Sequence, residues 1–270
     1  MQRYLINHLS AGEFILVLII ALVSLALLTL YLVRRYFSFL IRYENNSYLS
    51  FFLASITANY GIVLGFIIIT LWQELDKVEL IVMQESEQLS LLIYNALAFP
   101  VNVQDRIANG INEYIQVIIN DEWPLMRWGK ASEKAIPALK KLFHIIQSYS
   151  PETNIETTFY KQIVVSLNSV VEYRRERLEY IGSSLVDVLR IMLFLGIFII
   201  ILLISLIKSH SHRLQIFAVI LVSTVLSFNL GLALLLDYPL SGSISASPAP
   251  FTKGILSNFN PGNNTKSDSW

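Results

Sequence analysis

The sequence predicts an all-α integral membrane protein, and three observations carry that prediction. Hydrophobic residues make up 54% of the 270 residues and charged residues only 15%, against ~25% charged in a typical soluble domain. The mean hydropathy is +0.55, so too few charges are present to cover a water-facing surface. The apolar residues gather into four separate runs, 14–33, 49–72, 185–207 and 216–236. Each is long enough for a helix across a hydrocarbon core of ~30 Å, which needs ~20 residues.

The same composition narrows the function. Lys plus Arg number 20 and Asp plus Glu number 20, so no basic excess draws the chain to nucleic acid. Cys is absent, which excludes disulfides, thiolate nucleophiles, iron–sulfur clusters and Cys-ligated zinc. Glycine-rich phosphate loops, His-Glu-x-x-His and Gly-x-Ser-x-Gly are missing, and no nucleophile–base pair stands out. The expectation is a protein that is not an enzyme and carries neither cofactor nor metal.

Taken in order, the run at 14–33 exceeds the ~7–15 apolar residues of a signal peptide's central region. Tyr31-Leu-Val-Arg-Arg-Tyr36 after it is no small-residue cleavage site, so the run reads as a retained helix. Together with the run at 49–72 it forms a first membrane segment, 1–72. A polar block follows at 73–184, with 15 acidic against 11 basic residues. Within it Val78, Ile81, Val82, Leu89, Leu92 and Ala96 recur at three- and four-residue steps, the mark of an amphipathic helix. No Gly or Pro separates this stripe from the second run, so one helix is expected from 49 to about 98. At 1.5 Å per residue it would measure roughly 75 Å and project beyond a membrane.

Pro100 should stop that helix. A second striped helix is expected over 104–120, broken by Asp121-Glu-Trp-Pro124, and a shorter one over 138–148. Thr153-Asn-Ile-Glu156 has capping-box spacing and should open a long helix through Phe159, Ile163, Leu167, Val170, Val171, Leu178 and Ile181 that runs straight into the third span. Residues 185–236 hold the last two spans. The segment 237–257 is rich in Pro and Ser and cannot continue a helix, and 258–270 reads as a disordered tail. The expected class is therefore all-α with four spans, helices two and three being continuous with an extramembrane helical domain.

Orientation follows the Lys/Arg bias of short loops. Arg34, Arg35 and Arg42 lie between the first two spans, Lys208 and Arg213 between the last two, and only Arg3 before the first. Both short loops are then cytoplasmic and the 73–184 domain extracytoplasmic, although Arg174, Arg175 and Arg177 flank the third span from the domain side.

Three stretches resemble the bestrophin-like family of unknown function, a group of small bacterial membrane proteins with four spans. Gly61-Ile-Val-Leu-Gly-Phe66 running into Leu71-Trp-Gln-Glu-Leu-Asp-Lys-Val78 is similar to its second span and exit helix. Glu85 through Leu92, closed by Phe99-Pro100, resembles its acidic and leucine-bearing segment. Asp237-Tyr-Pro-Leu-Ser-Gly242, with Ser247-Pro-Ala-Pro-Phe251, is the most specific piece and resembles its C-terminal signature. The resemblance implies a bacterial inner membrane and kinship with bestrophins, pentameric anion channels whose helical domain lies between spans two and three. Two features differ from bestrophins. No acidic cluster follows the fourth span, and bestrophins keep the inter-span domain in the cytosol.

The second span holds the candidate site. Ser55, Asn59, Ile62, Phe66, Thr70 and Gln73 share one helical stripe, and polar groups facing lipid are costly. In a ring of such helices Ser55 and Asn59 would form a polar section, and Ile62 and Phe66 an apolar constriction able to gate by dewetting. The stripe also suits helix packing, with Asn59 bonding a neighbour and Gly61 and Gly65 allowing close approach. Asp76 and Glu79, with Glu85 and Glu87, form an acidic face that could hold a cation or simply be solvated. His210 and His212, the only His pair, sit on a short basic loop. Asp187 and Arg190 are spaced for an intrahelical ion pair, and Asp237 should cap the turn after the fourth span through the Ser241 or Gly242 amides. The expected function is passive conduction of inorganic ions, chloride among them, by a homo-oligomer in the lipid bilayer, a pentamer on the bestrophin likeness. The alternative is a non-conducting scaffold or sensor that docks a partner protein on the leucine-bearing face of 78–98.

Overall fold

A computed structural model describes residues 2–37, 39 and 41–259. Its regular elements are all helical: α1 (Gln2–His8), α2 (Ala11–Tyr36), α3 (Asn46–Ala96), α4 (Val101–Val117), α5 (Trp123–Arg127), α6 (Ala135–Gln147), α7 (Asn154–Glu179), α8 (Asp187–Leu206) and α9 (His212–Leu236). Four of these are long and apolar enough to cross a membrane: α2, α3, α8 and α9. The chain divides into two compact units, one from 1–74, 183–238 and 242–244, the other from 75–182, 239–241 and 245–270.

In the first unit α2 starts at a capping box. The Ser10 hydroxyl accepts from the Glu13 amide at 3.3 Å, and Glu13 Oε2 accepts from the Ser10 amide at 2.8 Å, so two of the helix's orphan donors are satisfied. Arg34 and Arg35 close the helix, where cations suit the negative end of its dipole. α2 packs along both α9 and α8. Gly231 of α9 lets α2 approach, since a Cβ there would stand 3.1 Å from Ile15 Cγ1. Val219, Leu226, Leu230 and Leu234 of α9 are buried with Ala26, Leu30 and Val33 of α2, which makes α9 the most enclosed of the four apolar helices. At the loop end, Asn46 clasps the backbone of Lys208, donating to its carbonyl at 2.7 Å and accepting from its amide at 2.9 Å.

α3 is a single unbroken helix of 51 residues, matching the expected 49–98 within a few residues. In the second unit its Val78, Ile81, Val82, Leu89, Leu92 and Ala96 are buried with Ile107, Ile111, Ile115 and Ile118 of the α4 region and Ile163, Leu167 and Val170 of α7. Within the single chain the Val78–Ala96 stripe is therefore covered. α4 and α6 pack closely at Gly110, where a Cβ would meet Leu142 Cδ1 at 3.1 Å.

Two expectations are corrected. Asp121-Glu-Trp-Pro124 does not break the helix. A π-helical turn, Ile118–Glu122, carries α4 into α5 with Pro124 in the first turn of the latter. There the wide turn shifts the carbonyl that a regular helix would press against the Pro124 ring. α7 does not feed into α8: residues 180–186 form turns and bends, held open by contacts described below. A 3-10 helix runs over Gly254–Phe259, and the rest of the expected disordered tail, 260–270, lies outside the described residues. The predicted cap of α7 is present on one side, with the Glu156 amide donating to Thr153 Oγ1 at 3.1 Å. The Glu156 carboxylate accepts from the Glu152 amide instead of closing the box on Thr153.

Candidate pore-lining helix and the polar contacts around it

One side of α3 packs inside the first unit through Tyr60, Leu64, Ile67 and Leu71, all buried. The Tyr60 ring lies against Gly196 of α8, where any Cβ would overlap it, and its hydroxyl donates to the Leu193 carbonyl at 3.2 Å. Roughly 140° further round, at 100° per residue, lie Ser55, Asn59, Ile62, Phe66, Thr70 and Gln73, every one exposed in the single chain. Ile62 is 63% and Phe66 67% exposed. The exposed face of α8 beyond Asp187 is purely apolar, with Val188, Ile191, Met192, Leu195 and Phe198, as lipid contact requires. The α3 stripe instead carries four polar side chains.

Thr70 satisfies its own hydroxyl by donating to the Phe66 carbonyl at 2.9 Å. Asn59 has no hydrogen-bond partner among the described residues. Ser55 and Asn59 also border a groove of about 420 Å³ between α3 and α8, with Val63, Met192 and Ile199 on its apolar walls. Nothing lies within 4 Å of a Cβ at Gly61 or Gly65, so neither glycine serves a close approach inside one chain.

Asp237 joins the ends of the first unit's helices. Fully buried, its carboxylate accepts from the Leu185 amide at 2.8 Å, Ser183 Oγ at 2.6 Å, Arg190 Nη2 at 2.8 Å and Gln2 Nε2 at 3.1 Å. Its backbone carbonyl accepts from the Ser184 amide at 2.8 Å. The expected cap through Ser241 or Gly242 is therefore replaced by bonds to the turn that precedes α8, where α7 and α8 part. The Gly242 amide donates to Asn7 Oδ1 at 2.8 Å, and Gly242 takes a positive φ of 83°, a backbone region glycine enters without strain. Asp187 and Arg190 do pair, at 3.1 Å, but Arg190 spends a second nitrogen on Asp237.

Of the acidic face, Asp76, Glu79 and Glu87 are exposed, while Glu85 is fully buried. Among the described residues no group of three or more His, Asp and Glu is placed to hold a metal ion. Glu85 belongs to a buried ion cluster in the second unit that sequence reasoning missed. Arg177 Nε donates to Glu85 Oε2 at 2.8 Å, and its Nη2 donates to Glu85 Oε1 at 3.2 Å and to Glu122 Oε2 at 3.1 Å. Arg174 Nη2 donates to Glu122 Oε1 at 2.5 Å, and Tyr114 donates its hydroxyl to Glu85 Oε1 at 2.8 Å. Two carboxylates thus meet two guanidiniums, linking α3, the π-helical turn and α7. Burial opposes the Arg177 charge, but Glu85 and then Glu122 overcome that penalty and raise its pKa. Burial, and after it the Glu85 charge, pushes the Tyr114 phenol well above its ordinary value.

Four helices long and apolar enough to cross a membrane support a membrane protein. The family model for the Bestrophin-like domain matches residues 20–251, and the chain belongs to that family. Membership points to a channel-like role. No curated protein and no solved structure matches the chain.

Proposed function

We propose that the chain is one subunit of a passive ion channel, selective for anions and assembled as a closed ring lined by α3. It transports ions and catalyses no reaction. The observation that carries this reading is the outward stripe Ser55–Asn59–Ile62–Phe66–Thr70–Gln73. It faces away from the chain's own helices and, unlike the exposed face of α8, is polar at four of its six positions. A hydrated ion would meet Ser55 and Asn59 as a polar section and Ile62 and Phe66 as the narrow apolar one. Five subunits and chloride as the ion follow from the likeness to bestrophins.

Purified wild type, Phe66→Ala and Asn59→Leu in planar bilayers test this. Phe66→Ala should raise conductance by wetting the constriction, and Asn59→Leu should lower it. Silence from all three with intact oligomers would overturn the reading and leave a non-conducting scaffold.

We also infer a bacterial inner membrane, with the 73–184 domain extracytoplasmic. The loop arginines favour this side, and Arg174 and Arg177, which oppose it, are neutralised by Glu85 and Glu122. The native chain has no Cys, so single substitutions report cleanly. Asn168→Cys should react with an impermeant maleimide in intact cells and Ser209→Cys should not; the reverse pattern overturns the orientation.

A further inference from the structure

The His210–His212 loop has no part in the proposed pore, yet it adjoins a second cavity. A cleft of about 410 Å³ lies between α2 and α9, lined by Leu27, Leu30, Tyr31, Arg34, His212 and Ile216. That volume is in the range of small-molecule sites, ~300–1,000 Å³. Its position along the helices is informative. The apolar run of α2 ends at Val33, immediately before Arg34, and that of α9 opens just after Arg213. The floor of the cleft therefore lies in hydrocarbon and its mouth at headgroup level.

The mouth is strongly basic. Arg34 donates through Nη2 to Gln215 Oε1 and through Nη1 to His212 Nδ1. The Arg34 Nε–H is enclosed and has no acceptor. Around it, 34–48 and 207–215 contain Arg34, Arg35, Arg42, Lys208 and Arg213 against Glu44 alone. Among the described residues none of these five cations is in an ion pair. Lys208 sits instead over the Tyr43 ring, 4.4 Å from its centroid.

We infer that this cleft binds one acidic phospholipid, its phosphate at Arg34 and His212 and an acyl chain along Leu27, Leu30 and Ile216. The Arg34 guanidinium at the mouth offers a phosphate a charge-assisted bond, and the net negative headgroup matches the uncompensated cations. A zwitterionic lipid brings its own cation and loses that attraction. Free phosphate leaves the apolar walls unfilled. The inference is independent of whether the protein conducts.

Native mass spectrometry of the full-length protein, released from micelles containing equimolar phosphatidylglycerol and phosphatidylcholine, tests it. Wild type should retain phosphatidylglycerol in preference by ~10-fold, the worth of one charged hydrogen bond, and inorganic phosphate should not displace it. Arg34→Gln should abolish the preference by removing the charge. Ile216→Trp should abolish it by filling the cleft, with every charge in place, so it decides the matter even if Arg34→Gln fails to fold. Equal retention of the two lipids by wild type would overturn the proposal. So would a preference that survives Ile216→Trp with unchanged helix content, or displacement by phosphate, which would mark a free-anion site.

Discussion

Among the described residues Arg177 is the largest fully buried side chain, and its charge is tolerated only because Glu85 and Glu122 surround it. Replacing an entire buried ion cluster with apolar groups can be neutral, whereas removing one partner strands the others. Arg177→Met should therefore destabilise the protein by ~3–5 kcal/mol, read as a lowered unfolding midpoint of the full-length chain in detergent. A change below that of a surface substitution would show that the cluster contributes nothing. The sequence held a signal for this cluster that the search for acidic faces passed over. Glu85 continues the step of Val78, Ile81 and Val82 toward Leu89; Glu122 continues Ile111, Ile115 and Ile118; Arg174 and Arg177 continue Ile163, Leu167 and Val170. Charges that fall in phase on apolar stripes, two of each sign, announce buried pairs. Which carboxylate meets which guanidinium was not legible, because the partners lie up to 92 residues apart.

At the scale of elements, the apolar spans were legible because length against bilayer thickness is a nearly sufficient criterion. The continuity of α3 followed from the unbroken apolar step between Leu49 and Ala96. The separation of α7 from α8 was not legible. Gly182 and two serines permit a break without requiring one, and the group that holds the turn is Asp237, remote in sequence, bonded to Leu185 and Ser183. Asp237→Asn keeps the size but loses the charge that holds Arg190. It should cost ~1.5–3 kcal/mol, the worth of a hydrogen bond to a charged group, in the same unfolding measurement. Asp237→Ala also leaves the Leu185 amide unpaired and should cost more. Equal, negligible effects of both would mean that the break is set by 180–186 alone. Pro124 misled in the opposite direction: a proline placed in the first turn of a helix is a start signal, and the π-helical turn ahead of it gives no sequence mark of its own.

For the molecule as a whole, the question is what covers the outward side of α3. In the first unit that side carries Asn59, Ile62 and Phe66. In the second unit the same helix exposes Leu80, Met83, Leu91, Tyr94 and Leu97, from 39% to 57%, opposite the buried Val78, Val82, Leu89 and Leu92. Lipid can cover Ile62 and Phe66 but cannot satisfy Asn59. The second set falls in a helix segment carrying Asp76, Glu79 and Glu87, where contiguous apolar surface on a soluble face signals an interface. A second copy of the chain meets both needs, and a cyclic arrangement closes without leaving an open face. Light scattering of the wild type in mild detergent should give one species of several chains. Met83→Glu combined with Leu91→Glu places carboxylates in the contact while leaving the buried side of α3 intact, so it should shift the mass toward a single chain with helix content unchanged. Val78→Glu buries a charge without a partner and should instead lower the unfolding midpoint. A monodisperse wild-type monomer would remove the ring, and with it the channel reading that depends on several α3 helices converging.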